Sequence, residues 1–199
     1  MNNQKTVSLT VEELVASART AQSKSLPPVH LWDPPYCGEL DIRIARDGTW
    51  FYLGTPIGRI ELVRLFSSIL KREGDRYYLV TPVEKVGIRV DDAPFVAVDF
   101  AIRQEEQGQT LTFETHVGDF ARASADCPIR VTIDPQTHEP SPYILIRRNL
   151  EALIDRKSFY RLVDLAVHYQ GWFGVWSRGE FFPIVRSDEL PESDGSGSV

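Results

Sequence analysis

From residue 86 to residue 146 the chain is a succession of short β-forming stretches, and this run constrains the fold more than any other feature. The stretches are residues 86–90, 95–103, 110–115, 129–133 and 143–146. Turn signals separate them at Asp91-Asp92-Ala93-Pro94, Gln107-Gly108, Val117-Gly118-Asp119 and Asp134-Pro135. Strands this close together, joined by short turns, predict antiparallel meanders. Upstream, Leu40, Ile42 and Ile44 alternate with Asp41, Arg43 and Ala45, and Asp47-Gly48 supplies the tight turn of a β-hairpin returning over residues 49–53.

Helices are predicted at three places. Thr10 and Glu13 form a capping box, with Leu9 and Leu14 at the positions of a hydrophobic staple, so a helix should start at Val11. It fades into a linker over residues 23–28. Thr55-Pro56 predicts the start of a helix running to residue 73, with Leu62, Leu65, Phe66 and Ile69 on one face and Gly74 ending it. Asn149 predicts a short helical turn over residues 150–155. Ser158 predicts a helix over residues 159–170 ended by Gly171, followed by a hairpin over Arg178-Gly179. Strand, helix, glycine and aromatic strand thus occur twice, once from Trp50 to Val80 and once from Tyr143 to Trp176. A duplication and a chance recurrence of two common units both fit this order. If the repeat is real, the seam of the halves is a place for a ligand. The expected fold is α+β: two related sheet-plus-helix halves over residues 27–85 and 86–186, preceded by a helix and linker over 1–26 and followed by a disordered acidic tail over 187–199.

The formal net charge is −6, and four acids with no base lie beyond Arg186, so the body carries −2. Such a balance argues against a non-specific binder of DNA, RNA or an anionic membrane. At 199 residues and 42% apolar composition the chain can bury roughly 70% of its unfolded surface. No run approaches the ~18 apolar residues of a membrane span, and the N-terminus lacks a signal-peptide core. Cys37 and Cys127 stand alone, which suits a reducing cytoplasm.

Several residues carry possible chemistry. Cys37, on a loop before Gly38, reads as a reactive thiol or as a small packed one, and no neighbour supplies a base to activate it. Glu39, Asp41 and Arg43 alternate on one strand face, which fits a polar ligand or a solvated edge. Thr81, Glu84 and Lys85 share a non-helical segment between strands, and Lys85 with Arg59 at a helix N-terminus could receive a phosphate, although no phosphate-loop fingerprint is present. His116, three residues before Asp119, has the spacing of a base with an orienting carboxylate, or of a turn histidine bonded to backbone. The four histidines show no metal-ligand spacing. Trp172, Trp176, Phe181 and Phe182 could stack bases or close a second core.

The strings Pro34-Pro35-Tyr36-Cys37-Gly38-Glu39, Asp41-Ile42-Arg43-Ile44-Ala45-Arg46-Asp47-Gly48-Thr49-Trp50, Leu62-Val63-Arg64-Leu65-Phe66-Ser67-Ser68 and Thr81-Pro82-Val83-Glu84-Lys85, with Asp92-Ala93-Pro94-Phe95 and Val117-Gly118-Asp119, resemble the bacterial family called domain-of-unknown-function family 1285. The resemblance covers roughly residues 27–170. It implies a two-domain fold made by duplication, with a pleckstrin-homology-like second half. It also implies a pocket between the halves suited to a nucleotide-like molecule, and a role in signalling. His116 stands where the family pattern has Asn, which weakens a general-base reading.

The leading expectation is a cytoplasmic ligand-binding regulator in signal transduction, its small-molecule site lined by Cys37, Glu39, Asp41, Arg43, Arg59, Thr81, Glu84 and Lys85. Arg43, Arg59 and Lys85 are expected to converge on an anion. No catalytic residue, cofactor, metal, nucleic acid or membrane is expected; a partner protein is left open. The alternatives are a small hydrolase or transferase using Cys37 or His116, and a protein-interaction module working through the second sheet.

Overall fold

A computed structural model describes residues 10–21 and 26–190. By its contacts the chain divides into two compact units. The first runs to Val96 and takes in His116–Gly118; the second holds Ala97–Thr115 and the chain from Asp119 onward. Each unit contains one six-stranded sheet and one main helix, an α+β plan used twice.

In the first unit, α1 (Val11–Ala21) starts where the capping box requires. The Thr10 amide donates to the Glu13 carboxylate at 2.9 Å, and the Glu13 amide donates back to Thr10 Oγ1 at 3.3 Å. Its buried stripe is Val11, Leu14 and Ala18. Leu9 of the expected staple, and residues 23–25 of the expected linker, lie outside the described residues. The strands β1 (Tyr36–Ile44) and β2 (Trp50–Tyr52) form the expected hairpin, with Gly48 at φ +85°. Leu53 and Gly54 then both take left-handed backbone, the requirement of a two-residue hairpin turn, so Thr55 and Pro56 become the short strand β3 rather than a helix start.

The main helix α2 (Ile60–Ser68) is therefore shorter than its apolar periodicity suggests. Residues 70–73, expected as its last turn, form β4 (Leu70–Glu73), paired with β5 (Arg76–Val80) across a turn in which Gly74 has φ +59°. Strand pairing wins because Leu70 and Leu79, opposite each other, are both buried, whereas helix propensity is a weak preference that tertiary burial overrides. The sheet order is β3-β2-β1-β6-β5-β4, where β6 is Lys85–Val90. The expected boundary after residue 85 falls within β6, which belongs to this sheet, and the contacts divide the chain at Val96. β1 and β6 pair in parallel, because the chain between them passes through α2 and two hairpins and returns in the same direction. Phe66 of α2 stacks on Trp50 at 6.2 Å in a core with Ile42, Ile44 and Leu79. Burying each such side chain stabilises by about 1.5–3 kcal/mol.

In the second unit the sheet order is β10-β11-β12-β7-β8-β9, from β7 (Phe95–Glu105), β8 (Gly108–Thr115), β9 (Phe120–Arg122), β10 (Ile129–Ile133), β11 (Pro140–Arg147) and β12 (Leu150–Ile154). The expected helical turn over 150–155 is β12. Arg148 at φ +53° reverses the chain, and Leu150, Ala152 and Ile154 alternate into the core at strand period. The helix α3 is Arg156–Val163, capped by Asp155 through the Ser158 amide at 2.8 Å, and it ends earlier than expected. Residues 167–169 form β13 (Val167–Tyr169), which turns at Gln170 and Gly171, both left-handed, into β14 (Trp172–Ser177); β15 (Glu180–Arg186) completes a second, three-stranded sheet. The two six-stranded sheets share one order, β3-β2-β1-β6-β5-β4 and β9-β8-β7-β12-β11-β10, but α2 lies within the first run of strands and α3 follows the second, so the two helices of the expected repeat are not equivalent. Ser187–Glu189 of the expected tail form a 3-10 turn, and residues 191–199 lie outside the described residues.

Candidate functional site

One face of the first sheet gathers a cluster of charged and aromatic side chains, exposed at Tyr36, Glu39 and Arg76 and covered at Tyr78, Lys71 and Lys85, where Lys71 donates to the Trp32 carbonyl at 3.2 Å. On β1, a register shift at left-handed Gly38 lets Tyr36 and Glu39, three positions apart, meet Lys85 and Gly87 of β6. On β5, Tyr78 lies opposite Gly87, and β4 places Lys71 and Glu73 opposite Tyr78 and Arg76. Gly87 is the floor of this arrangement. A Cβ there would stand 2.4 Å from the Glu39 carboxylate oxygens, so Glu39 can cross β6 only because position 87 has no side chain.

The groups are wired together. The Tyr36 hydroxyl donates to Glu39 at 2.5 Å, and Arg76 pairs with the same carboxylate. That hydrogen bond to Glu39 pushes the Tyr36 hydroxyl above its usual pKa. The Arg76 guanidinium lies 5.8 Å and 5.4 Å from the ring centres of Tyr36 and Tyr78, which meet edge to face at 6.2 Å. Lys85 stands 5.0 Å over the Tyr78 ring and 3.1 Å from one oxygen of Glu73; Lys71 takes the other at 2.9 Å. The ammonium groups of Lys71 and Lys85 hold the Glu73 carboxyl below its usual range. Three cations, two carboxylates and two tyrosine rings, one of them 48% exposed at Tyr36, thus share one surface.

Of the eight residues expected to bind ligand, Glu39 and Lys85 meet here. Cys37 is exposed, and its thiol donates to the Pro35 carbonyl at 3.4 Å. Asp41 is an exposed strand residue whose carbonyl accepts the Leu53 amide. Arg43 pairs with Asp91 at 2.6 Å and lies over Phe51. In the parallel ladder Lys85 stands opposite Tyr36 and Arg89 opposite Arg43, which puts the Cα atoms of Arg43 and Lys85 about 14 Å apart. Arg59 is the exposed N-cap of α2, on a groove between α1 and α2 that also touches Glu12, Arg19 and Leu62. Thr81 and Glu84 are buried: the Thr81 amide donates to the Glu84 carbonyl, and Glu84 lies under α1, bonded by Ser17. Arg43, Arg59 and Lys85 therefore do not converge.

Sequence reasoning missed Tyr36, Lys71, Glu73, Arg76 and Tyr78. Arg76 and Tyr78 alternate visibly on their strand, but Lys71 and Glu73 sat inside an expected helix, and the register shift at Gly38 has no periodicity to reveal it. His116 accepts the Val96 amide at Nδ1 at 3.2 Å, with its ring against Gly48. Asp119 is paired with Arg147. Among the described residues, no group of three or more His, Cys, Asp or Glu side chains is placed to hold a metal ion, and no helix is long and apolar enough to cross a membrane.

Comparison with known proteins places the whole body of the chain. Residues 27–93 match the N-terminal domain, and residues 94–184 the C-terminal domain, of the family described as a domain or protein of unknown function, DUF1285. The chain belongs to the DUF1285 family. A DUF1285 family protein from Silicibacter pomeroyi DSS-3 is 65% identical over 88% of this chain and 96% of its own, with a TM-score of 0.83. One from Shewanella baltica OS155 is 32% identical over 63% of this chain and 91% of its own, with a TM-score of 0.51. No curated protein matches. The DUF1285 domain boundary at residues 93 and 94 follows β6, and α1 precedes the matched region.

Proposed function

We propose that this DUF1285 protein is a ligand-binding regulator of the cytoplasm, acting in signal transduction, and that the first unit takes a nucleotide-like molecule at the exposed Tyr36, Glu39 and Arg76 edge of this cluster. The observation that carries the reading is the cluster in which Arg76 and Lys85 stand over the Tyr36 and Tyr78 rings above Gly87. The planar guanidinium fits a phosphate bidentately as it fits a carboxylate, so a phosphorylated ligand is a competitor for Glu39 on Arg76. The exposed Tyr36 ring offers a face for a base to stack on. Such an exchange frees Glu39 from its place over Gly87 and so couples binding to a rearrangement of the sheet surface, which suits a regulator.

Calorimetry with nucleoside monophosphates and cyclic dinucleotides tests this. Saturable binding that weakens roughly tenfold to a hundredfold in Arg76→Ala, and less in Tyr36→Ala, is expected from the loss of one charge-assisted contact and one stacking contact. Absence of binding by all of these probes, or equal affinity in Arg76→Ala, would overturn it.

A further inference from the structure

The outer face of β7, β8 and β9 in the second unit carries a depression of about 430 Å³. Its floor is Ala101 opposite Thr112, two small side chains among large ones; Arg103, Glu114, Phe120 and Arg122 stand around it. Phe120 is 63% exposed, an unusual state for a phenyl ring on a sheet. Ion pairs hold some charges of this unit: Arg130 with Glu151, Arg147 with Asp119, Arg186 with Asp188 and Arg161 with Asp99, the last also lining the depression. Among the described residues Arg103, Arg122 and Glu114 make no such pair. These three uncommitted charges therefore line a single cavity beside an exposed aromatic ring.

Their spacing is fixed by the register. Arg122 is opposite Thr112 and Phe120 opposite Glu114, so Arg122 and Glu114 are diagonal neighbours with Cα atoms about 7–8 Å apart. Side chains this long can meet directly across such a diagonal, yet Arg122 and Glu114 are not paired, which leaves both heads for a bridging group with a positive and a negative end about 3 Å apart, hydrogen-bonded at both ends. A simple anion leaves Glu114 as a repulsive neighbour, and a simple cation leaves both arginines unused. The volume suits a small ligand.

We propose that this depression binds a small zwitterion with an apolar body, the chemistry of an α-amino acid. Its carboxylate meets Arg103 and Arg122, its ammonium meets Glu114, and its side chain lies on Phe120 over Ala101 and Thr112. The site lies wholly in the second unit and is independent of the nucleotide reading of the first sheet.

The test is an NMR titration of the full chain with L-phenylalanine, 3-phenylpropionate and phenethylamine, which share the phenyl ring and differ in charged groups. L-phenylalanine is expected to bind saturably, with shifts at Phe120 and Thr112, and each half-ligand at least tenfold more weakly, since each loses a charge-assisted contact. Arg122→Ala should weaken L-phenylalanine by tenfold or more, and Glu114→Gln should erase its advantage over 3-phenylpropionate. All are surface changes, and an unchanged far-UV spectrum verifies the fold. No saturable binding of L-phenylalanine, equal binding of 3-phenylpropionate, or affinity indifferent to both variants would overturn the proposal.

Discussion

Glu84 is 7% exposed beneath α1, where it receives a hydrogen bond from Ser17 and lies near Glu13, while its Oε1 has no hydrogen-bond partner among the described residues. Burial, the main cause, pushes its carboxyl above the ordinary value of 4.5. The sign of the pH effect follows. Between the unfolded and the folded pKa the native state keeps a proton that the unfolded chain has released, so stability falls as pH rises through that window. Below it there is no penalty, and above it the full cost of the buried carboxylate is present. Glu73, Asp99 and Asp134, all held low by their partners, act in the opposite sense and lose their contribution as pH falls. Urea midpoints measured from pH 4 to pH 8 should therefore show Glu84→Gln gaining on the parent protein as pH rises. Parallel profiles would show that the Glu84 carboxyl is not responsible.

At the scale of elements, the strands were legible and the helix ends were not. Alternation and turn chemistry place most strands of both sheets, because a strand of half-buried residues must alternate and a tight turn must contain a residue that tolerates left-handed backbone. Gly74 and Gly171 misled for a physical reason. A glycine with positive φ ends a helix or turns a hairpin equally well, and the residues before each one, 70–73 and 167–169, are compatible with both. Only partner strands decide, and those lie in other parts of the sequence. The candidate site suffered likewise: Lys71 and Glu73 reach the Tyr36–Tyr78 face of the first sheet only because residues 70–73 are a strand. The hairpin assignment has a measurable consequence. Gly171→Ala, at φ +81°, should cost about 1–2 kcal/mol in urea denaturation, whereas Gly58→Ala, in open space without a left-handed backbone, should be close to neutral. Equal effects at the two positions would contradict the turn.

The two units repeat one sheet order but are not consecutive in the chain. Residues 116–118 leave the second unit's β8 and return to the first, where His116 donates its amide to the Val96 carbonyl at 2.9 Å and Arg64 Nε donates to the Val117 carbonyl at 3.1 Å. Val117 is itself buried. A fragment of residues 10–96 therefore lacks part of its own core. Joining residues 116–118 to it through a short glycine-serine linker should raise its urea midpoint, and equal midpoints would show that the segment contributes nothing. The family boundary at residues 93 and 94 is thus a frontier in sequence alone. The backbone crosses between the units three times, so no single peptide bond parts them. A first half transplanted as one cassette, by recombination or by an engineer, would arrive without three of its own residues and leave them stranded in the donor.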